Sequence, residues 1–88
     1  MSDHANRLKE LLDKENYPLV YLFKFIIKND PDKIVDIKRC FDETAEFETN
    51  PSRNGNYISV SIKQMMMSSD DILNRYERVS KIKNVIVL

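Results

Sequence analysis

Metal and nucleophile chemistry need side chains in sets, and in this sequence the sets are thin. The chain has one histidine, His4, and one cysteine, Cys40, in 88 residues. A thiol metal site on a small domain uses paired cysteines, so a single Cys40 reads as a small buried apolar residue. No Ser-His-Asp or Cys-His set can be assembled without His4, near the first residue. No catalytic residue, metal ligand or cofactor is therefore expected. What remains is a row of polar side chains at alternate positions: Tyr57, Ser59, Ser61 and Lys63, with Lys24 on an earlier segment and Arg53 just before the row. Alternate spacing is strand spacing and places such residues on one face of a sheet. These six are the candidate binding residues. A second reading makes Lys24 and Tyr57 the acid–base groups of a small enzyme, which requires burial and a concave site.

A chain of this length forms one domain with one core. Apolar residues make up 42%, enough for that core, and fourteen Lys+Arg balance fourteen Asp+Glu. That balance lacks the basic excess of a dedicated nucleic-acid binder. One cysteine allows no intrachain disulfide, which fits a reducing compartment. The start "MSDHANRLKELL" has no apolar core of a signal peptide, and "YPLVYLFKFII" is too short for a membrane span. A soluble, cytoplasmic protein is expected.

The elements that must position the polar row follow from periodicity. Asp3 to Lys14 reads as a short amphipathic helix capped by Ser2 or Asp3, with Leu8, Leu11 and Leu12 on its docking face. Leu19 to Lys28 reads as a strand. Tyr21, Phe23, Phe25 and Ile27 share one face, and Lys24 on the other marks the first as core. "NDPDKIVDIKRCF" starts a helix, with Asp30 as cap, Pro31 at the first position, and Ile34, Ile37 and Phe41 as its buried stripe. "AEFETN" alternates as a short strand with Glu46 and Glu48 outward. Tyr57 to Met66 is the next strand, with Ile58, Val60 and Ile62 inward. Ser68 and Asp71 open a further helix that buries Ile72, Leu73, Tyr76 and Val79, its charged run "NRYERVSK" reading as solvent face. "KNVIVL" closes the chain as a strand. Met65, Met66 and Met67 read as adaptable filler at a strand end.

The order β-α-β-β-α-β gives an α+β, ferredoxin-like sandwich: a four-stranded antiparallel sheet with two helices on one face. Residues 1–16 form a helical extension, and 17–88 form the domain. The connection "RNG" between the second and third strands allows two geometries. Asn54-Gly55 suits a two-residue type I′ turn, while Pro51-Ser52-Arg53 could instead build a longer loop around Gly55.

"LKELL", "YP", "FKF", "NPSRNGNYISVSI" and "KIKNVIVL" together resemble the YbeD-like family of small bacterial proteins, whose fold is similar to the ACT-type regulatory domain. The resemblance spans nearly the whole chain, and Ser52, Gly55, Tyr57, Ser59 and Ser61 carry its most specific part. It implies the βαββαβ fold and a bacterial setting, with no agreed activity or site residues. Amino-acid-binding ACT domains resemble one another in a D-x-P-G loop after the first strand; here Asp30-Pro31-Asp32-Lys33 lacks the glycine. The acylphosphatase-like version of the fold needs a phosphate-holding arginine in that loop, and "KNDPDK" has none. An RNA-recognition strand needs outward aromatics, and aligning its glycine with Gly55 puts Asn56 and Ile58 at the stacking positions.

The expected function is a non-catalytic regulatory or adaptor module acting by binding, with a homodimer through a sheet edge or face as one form. Its partner would be another protein, a second copy of the chain or a small metabolite; nucleic acid and membrane are not expected. The alternatives are the small enzyme above and a weak RNA-binding module. Glu46 and Glu48 are expected to form cross-strand ion pairs with Lys24 and Lys63. Leu22, Ile26 and Ile86 add apolar area, which a partner or the N-terminal helix would cover.

Overall fold

Each strand of the sheet is built by the same alternation, and the central one sets the pattern. The computed structural model describes residues 3–88. Expectations resting on Ser2 and on the side chains of Asp3 and His4 lie outside the described residues. The elements run α1 (Asp3–Asp13), β1 (Leu19–Lys28), α2 (Pro31–Lys38), β2 (Glu46–Pro51), β3 (Tyr57–Met66), α3 (Ser69–Ser80) and β4 (Ile86–Val87). The sheet order is β2-β3-β1-β4, antiparallel throughout. In β1 the odd positions Phe23, Phe25 and Ile27 are fully buried, opposite Ile62, Val60 and Ile58 of β3. Ile37 from α2 and Ile72 and Val79 from α3 close the core from one side. This is the α+β, ferredoxin-like arrangement expected from element order.

Capping fixes where the helices begin. The Asp30 carboxylate accepts from the Asp32 amide at 2.9 Å, and Ser68 Oγ accepts from the Asp71 amide at 3.1 Å. Asp71 reaches back to accept from the Met67 amide at 3.2 Å, completing a reciprocal cap. Both caps anchor the helices directly onto the strand ends that precede them.

The aromatic residues of the core form one cluster around Phe23. Its ring centroid lies 4.7 Å from Tyr21, 5.0 Å from Phe41 and 5.2 Å from Tyr76, all edge-on. The Tyr21 and Tyr76 hydroxyls meet at 3.0 Å. Burial, and then this hydrogen bond, push the Tyr76 phenol well above its ordinary value. The folded chain therefore holds Tyr76 neutral where the unfolded chain ionises, near pH 10. The sign follows: stability is complete below about pH 10 and falls as pH rises above it. The slope cannot exceed the ~1.4 kcal/mol per pH unit that one proton supplies. Urea unfolding from pH 8 to pH 11 should show this fall, and Tyr76→Phe should flatten it at a cost of about 1 kcal/mol at neutral pH.

The N-terminal helix docks beside α3, on the helical side of the sheet. Leu12 is buried in the core, Tyr17 Oη donates to the Leu12 carbonyl at 2.8 Å, and Ser69 Oγ donates to Asp13. Lys9 Nζ reaches Asp70 at 3.1 Å, and Asp13 is held below the usual carboxylate range chiefly by Ser69. Leu8 packs against the core from its margin. Leu11 departs from expectation and is 62% exposed. At about 100° per residue, contacts through Lys9, Leu12 and Asp13 rotate Leu11 outward.

Other departures have physical causes as well. Only Met66 of the methionine run is core; Met65 and Met67 are exposed, because strand alternation puts their neighbour alone inward. Gln64, the inward residue after Ile62, is buried and donates to Asp42 at 2.6 Å. Arg75, expected on the solvent face, is largely covered and lies 3.9 Å from the same carboxylate. Asp42 thus ties the α2–β2 connection to β3 and α3. Pro51 ends β2 rather than opening the turn, which an edge strand permits. The closing strand is only Ile86–Val87, with the Leu88 amide donating to the Lys24 carbonyl at 3.0 Å.

Candidate functional site

All the packed helices lie on one side, so the other face of the sheet is open among the described residues. Register decides which side chains meet there. On β1 and β3, Leu22 stands opposite Lys63, Lys24 opposite Ser61, Ile26 opposite Ser59, and Lys28 opposite Tyr57. From the other side of β3, Glu46 faces Lys63, Glu48 faces Ser61 and Asn50 faces Ser59. Five of the six candidate residues therefore share one surface: Lys24, Tyr57, Ser59, Ser61 and Lys63. Arg53 is exposed in the loop between β2 and β3, where it lines a shallow depression of about 350 Å³ with Ser52, Asn54 and Tyr57.

Register also separates Lys24 from Tyr57. They belong to rows four residues apart along β3, about 13 Å at strand rise, and Lys28 is the residue beside Tyr57. Lys24 is exposed and lines none of the depressions described below.

The face is more apolar than its polar row suggests. Leu22 is 49% exposed, Tyr57 45% and Ile86 54%, and Ile26 is half-buried between them. Val20 and Met65, a directly opposed pair, and Leu88 extend the patch and are exposed too. The signal for these three was available: Val20 precedes Leu22 by two residues, and Met65 follows Lys63 by two. The methionine run and the chain end obscured it.

The expected cross-strand ion pairs do not form. Among the described residues, the ion pairs within 4 Å are Lys9 with Asp13 and Asp70, and Arg75 with Asp42. Lys24, Lys28, Lys63, Glu46 and Glu48 have no ionic partner, although Glu46 and Lys63 are register neighbours. Their side chains extend into solvent, where an exposed pair contributes little.

The loop at one end of the face answers the question of turn type. Gly55 has φ +76° and Asn54 does not enter the left-handed region, so the two-residue type I′ turn is excluded. Instead Ser52 and Tyr57 close a longer loop: the Ser52 amide donates to the Tyr57 carbonyl at 2.7 Å, and the Gly55 amide to the Ser52 carbonyl at 2.9 Å. Ser52 Oγ accepts from the Tyr57 amide, and Asn54 Oδ1 accepts from the Asn56 amide at 3.1 Å. Asn29 Nδ2 donates to the Gly55 carbonyl at 2.9 Å, tying the loop to the end of β1. Gly55→Ala meets no neighbour, since nothing lies within 4 Å of the added carbon. Its cost, about 1–2 kcal/mol, should come from the backbone conformation alone and be read as a lower thermal midpoint.

Further shallow depressions mark the face, two of them beside Tyr57. One of about 350 Å³ runs from Ile26 past Ser59 to Ser52, and another of about 360 Å³ lies between Lys28, Tyr57 and Ile86. A third, of about 280 Å³, is bounded by Glu46, Glu48, Ser61 and Lys63. Among the described residues no group of three or more His, Cys, Asp or Glu is placed to hold a metal ion. Cys40 is buried, and burial pushes its thiol up. No helix among these residues is long and apolar enough to cross a membrane.

Compared with known families, residues 13–88 match one described as a protein of unknown function, DUF493. The match takes in every strand together with α2 and α3, and it begins at the last residue of α1. Comparison with curated proteins and with solved structures returns no match.

Proposed function

The chain belongs to the DUF493 family, and on that premise we propose that it is a small, non-catalytic regulatory or adaptor module that binds through its open sheet face. The YbeD-like resemblance and its ACT-like fold supply the regulatory reading and the bacterial setting, and the single cysteine suits a reducing, cytoplasmic one. The observation that carries it is the combination of exposed Leu22, Tyr57 and Ile86 with five unpaired charges on one face. A surface of mixed apolar and charged groups beyond a sheet's own needs is the signature of a partner surface. The separation of Lys24 from Tyr57 supports binding rather than acid–base chemistry. The shallow depressions beside Tyr57 suit a small metabolite as the second class of ligand. One exposed ring gives no stacking platform for RNA bases, which need several aromatics.

The experiment compares the tagged full chain with Leu22→Glu and Tyr57→Ala as baits, and screens all three against metabolites by thermal shift. Both substitutions lie on exposed positions and should leave the fold intact. A protein or metabolite retained by the wild type and lost by both variants supports the reading. Ligands retained equally by all three overturn it, as does a wild type that retains nothing, an untagged copy of itself included.

A further inference from the structure

We propose that the open sheet face binds a second copy of this chain, forming a two-fold dimer with the two sheets face to face. This rests on the reading that the face is a binding surface, and it names the occupant.

Charge is segregated across the face. The acidic groups Glu46 and Glu48 stand on β2, at one margin, while Lys24 and Lys28 stand on β1, two strands away. None has an ionic partner among the described residues. A partner of one sign would satisfy only half of this pattern. A two-fold operation instead sets each patch against its own reverse, so the acidic β2 of each copy meets the basic β1 of the other.

Register makes this specific. Glu48 and Lys24 both stand opposite Ser61, so they occupy one level on either side of β3. A two-fold axis running along β3 brings β2 of one copy over β1 of the other. It places Glu48 over Lys24 twice, at the same level. Ser59 and Ser61 lie on the axis, and such small side chains let two sheets approach to the usual ~10 Å. Leu22 and Ile26 flank them as the apolar part of the contact.

The size suits a weak, concentration-dependent contact. β1 and β3 of ten residues, β2 of six and β4 of two, at about 4.8 Å spacing and 3.3 Å rise, give a face of roughly 440 Å². That is about half of the ~800 Å² per partner in a standard interface. The chain carries no net charge, so two copies meet without long-range repulsion. Lys63 also meets its equivalent at the axis, but Glu46 of each copy lies beside it.

The test is sedimentation equilibrium of the full chain over a wide concentration range. Wild type should approach twice its 10.4 kDa mass as concentration rises. Lys24→Glu and Glu48→Lys should each raise the dimer dissociation constant about tenfold or more, and the double exchange should recover most of it. Circular dichroism of each variant should match wild type, since both positions are exposed. A monomer at the highest soluble concentration overturns the proposal. So does a dimer that ignores both exchanges but is lost in Val87→Pro, which would place the contact at the β4 edge. In either case the broader binding reading is decided separately, by the bait and thermal-shift comparison.

Discussion

Phe23→Ala is expected to destabilise the chain by about 3–5 kcal/mol, the largest effect of any single substitution considered. Phe23 is completely buried and touches Tyr21, Phe25, Phe41 and Tyr76 through its ring. Removing it empties the centre of the aromatic cluster and leaves the Tyr21–Tyr76 hydroxyl pair without its packing wall. A domain of this size has a total stability of roughly 5–13 kcal/mol, so the loss takes a quarter of it or more. Leu22→Ala, one residue away, provides the contrast. Its side chain is on the open face, and the change should stay within about 0.5 kcal/mol in dilute solution. Urea unfolding of both proteins checks the pair. Equal losses would mean that the faces of β1 are assigned wrongly.

The second large effect concerns α1. Leu12→Ala should cost about 2–4 kcal/mol, because the leucine is buried against the core and the helix collapses poorly into the space. Removing residues 1–12 altogether should cost at least as much, since it also takes Leu8 and the Lys9–Asp70 contact. Leu11→Ala, on the same helix, should be nearly neutral because Leu11 is exposed. A deletion as stable as wild type in thermal unfolding would show that α1 contributes nothing to the core.

The contrast between Leu11 and Leu12 shows where the sequence is informative. Strand alternation in Leu19–Lys28 made the core legible, because a single lysine at Lys24 distinguishes the two faces. The caps at Asp30 and Ser68 were legible because their oxygens must meet amides two or three residues on. The docking angle of α1 was not, since it depends on Lys9 and Asp13 finding Asp70 and Ser69 on a helix far along the chain. Gln64 lies inward by the same alternation as Ile62, and the partner its amide and Arg75 share, Asp42, comes from a connection far along the chain.

The candidate face was legible as a list of side chains but not as a geometry. Alternation placed Lys24, Tyr57, Ser59, Ser61 and Lys63 on one surface. It did not give the register, which pairs Lys28 with Tyr57 and leaves Lys24 beside Ser61. Nor did it show the loop. Asn54-Gly55 has the composition of a tight turn, yet Ser52 closes a longer one by bonding across to Tyr57. That choice sets Tyr57 at the rim of the face.

Thiol labelling at the centre of the face tests the account most directly. Ser61→Cys places a reactive thiol there, while the native Cys40 is buried with its thiol pushed up and should react slowly. Ser80→Cys, at the exposed end of α3, serves as the reference. The account predicts that labelling at position 61 slows as protein concentration rises, while labelling at position 80 does not change. Rates at both positions that are equal and independent of concentration would contradict it.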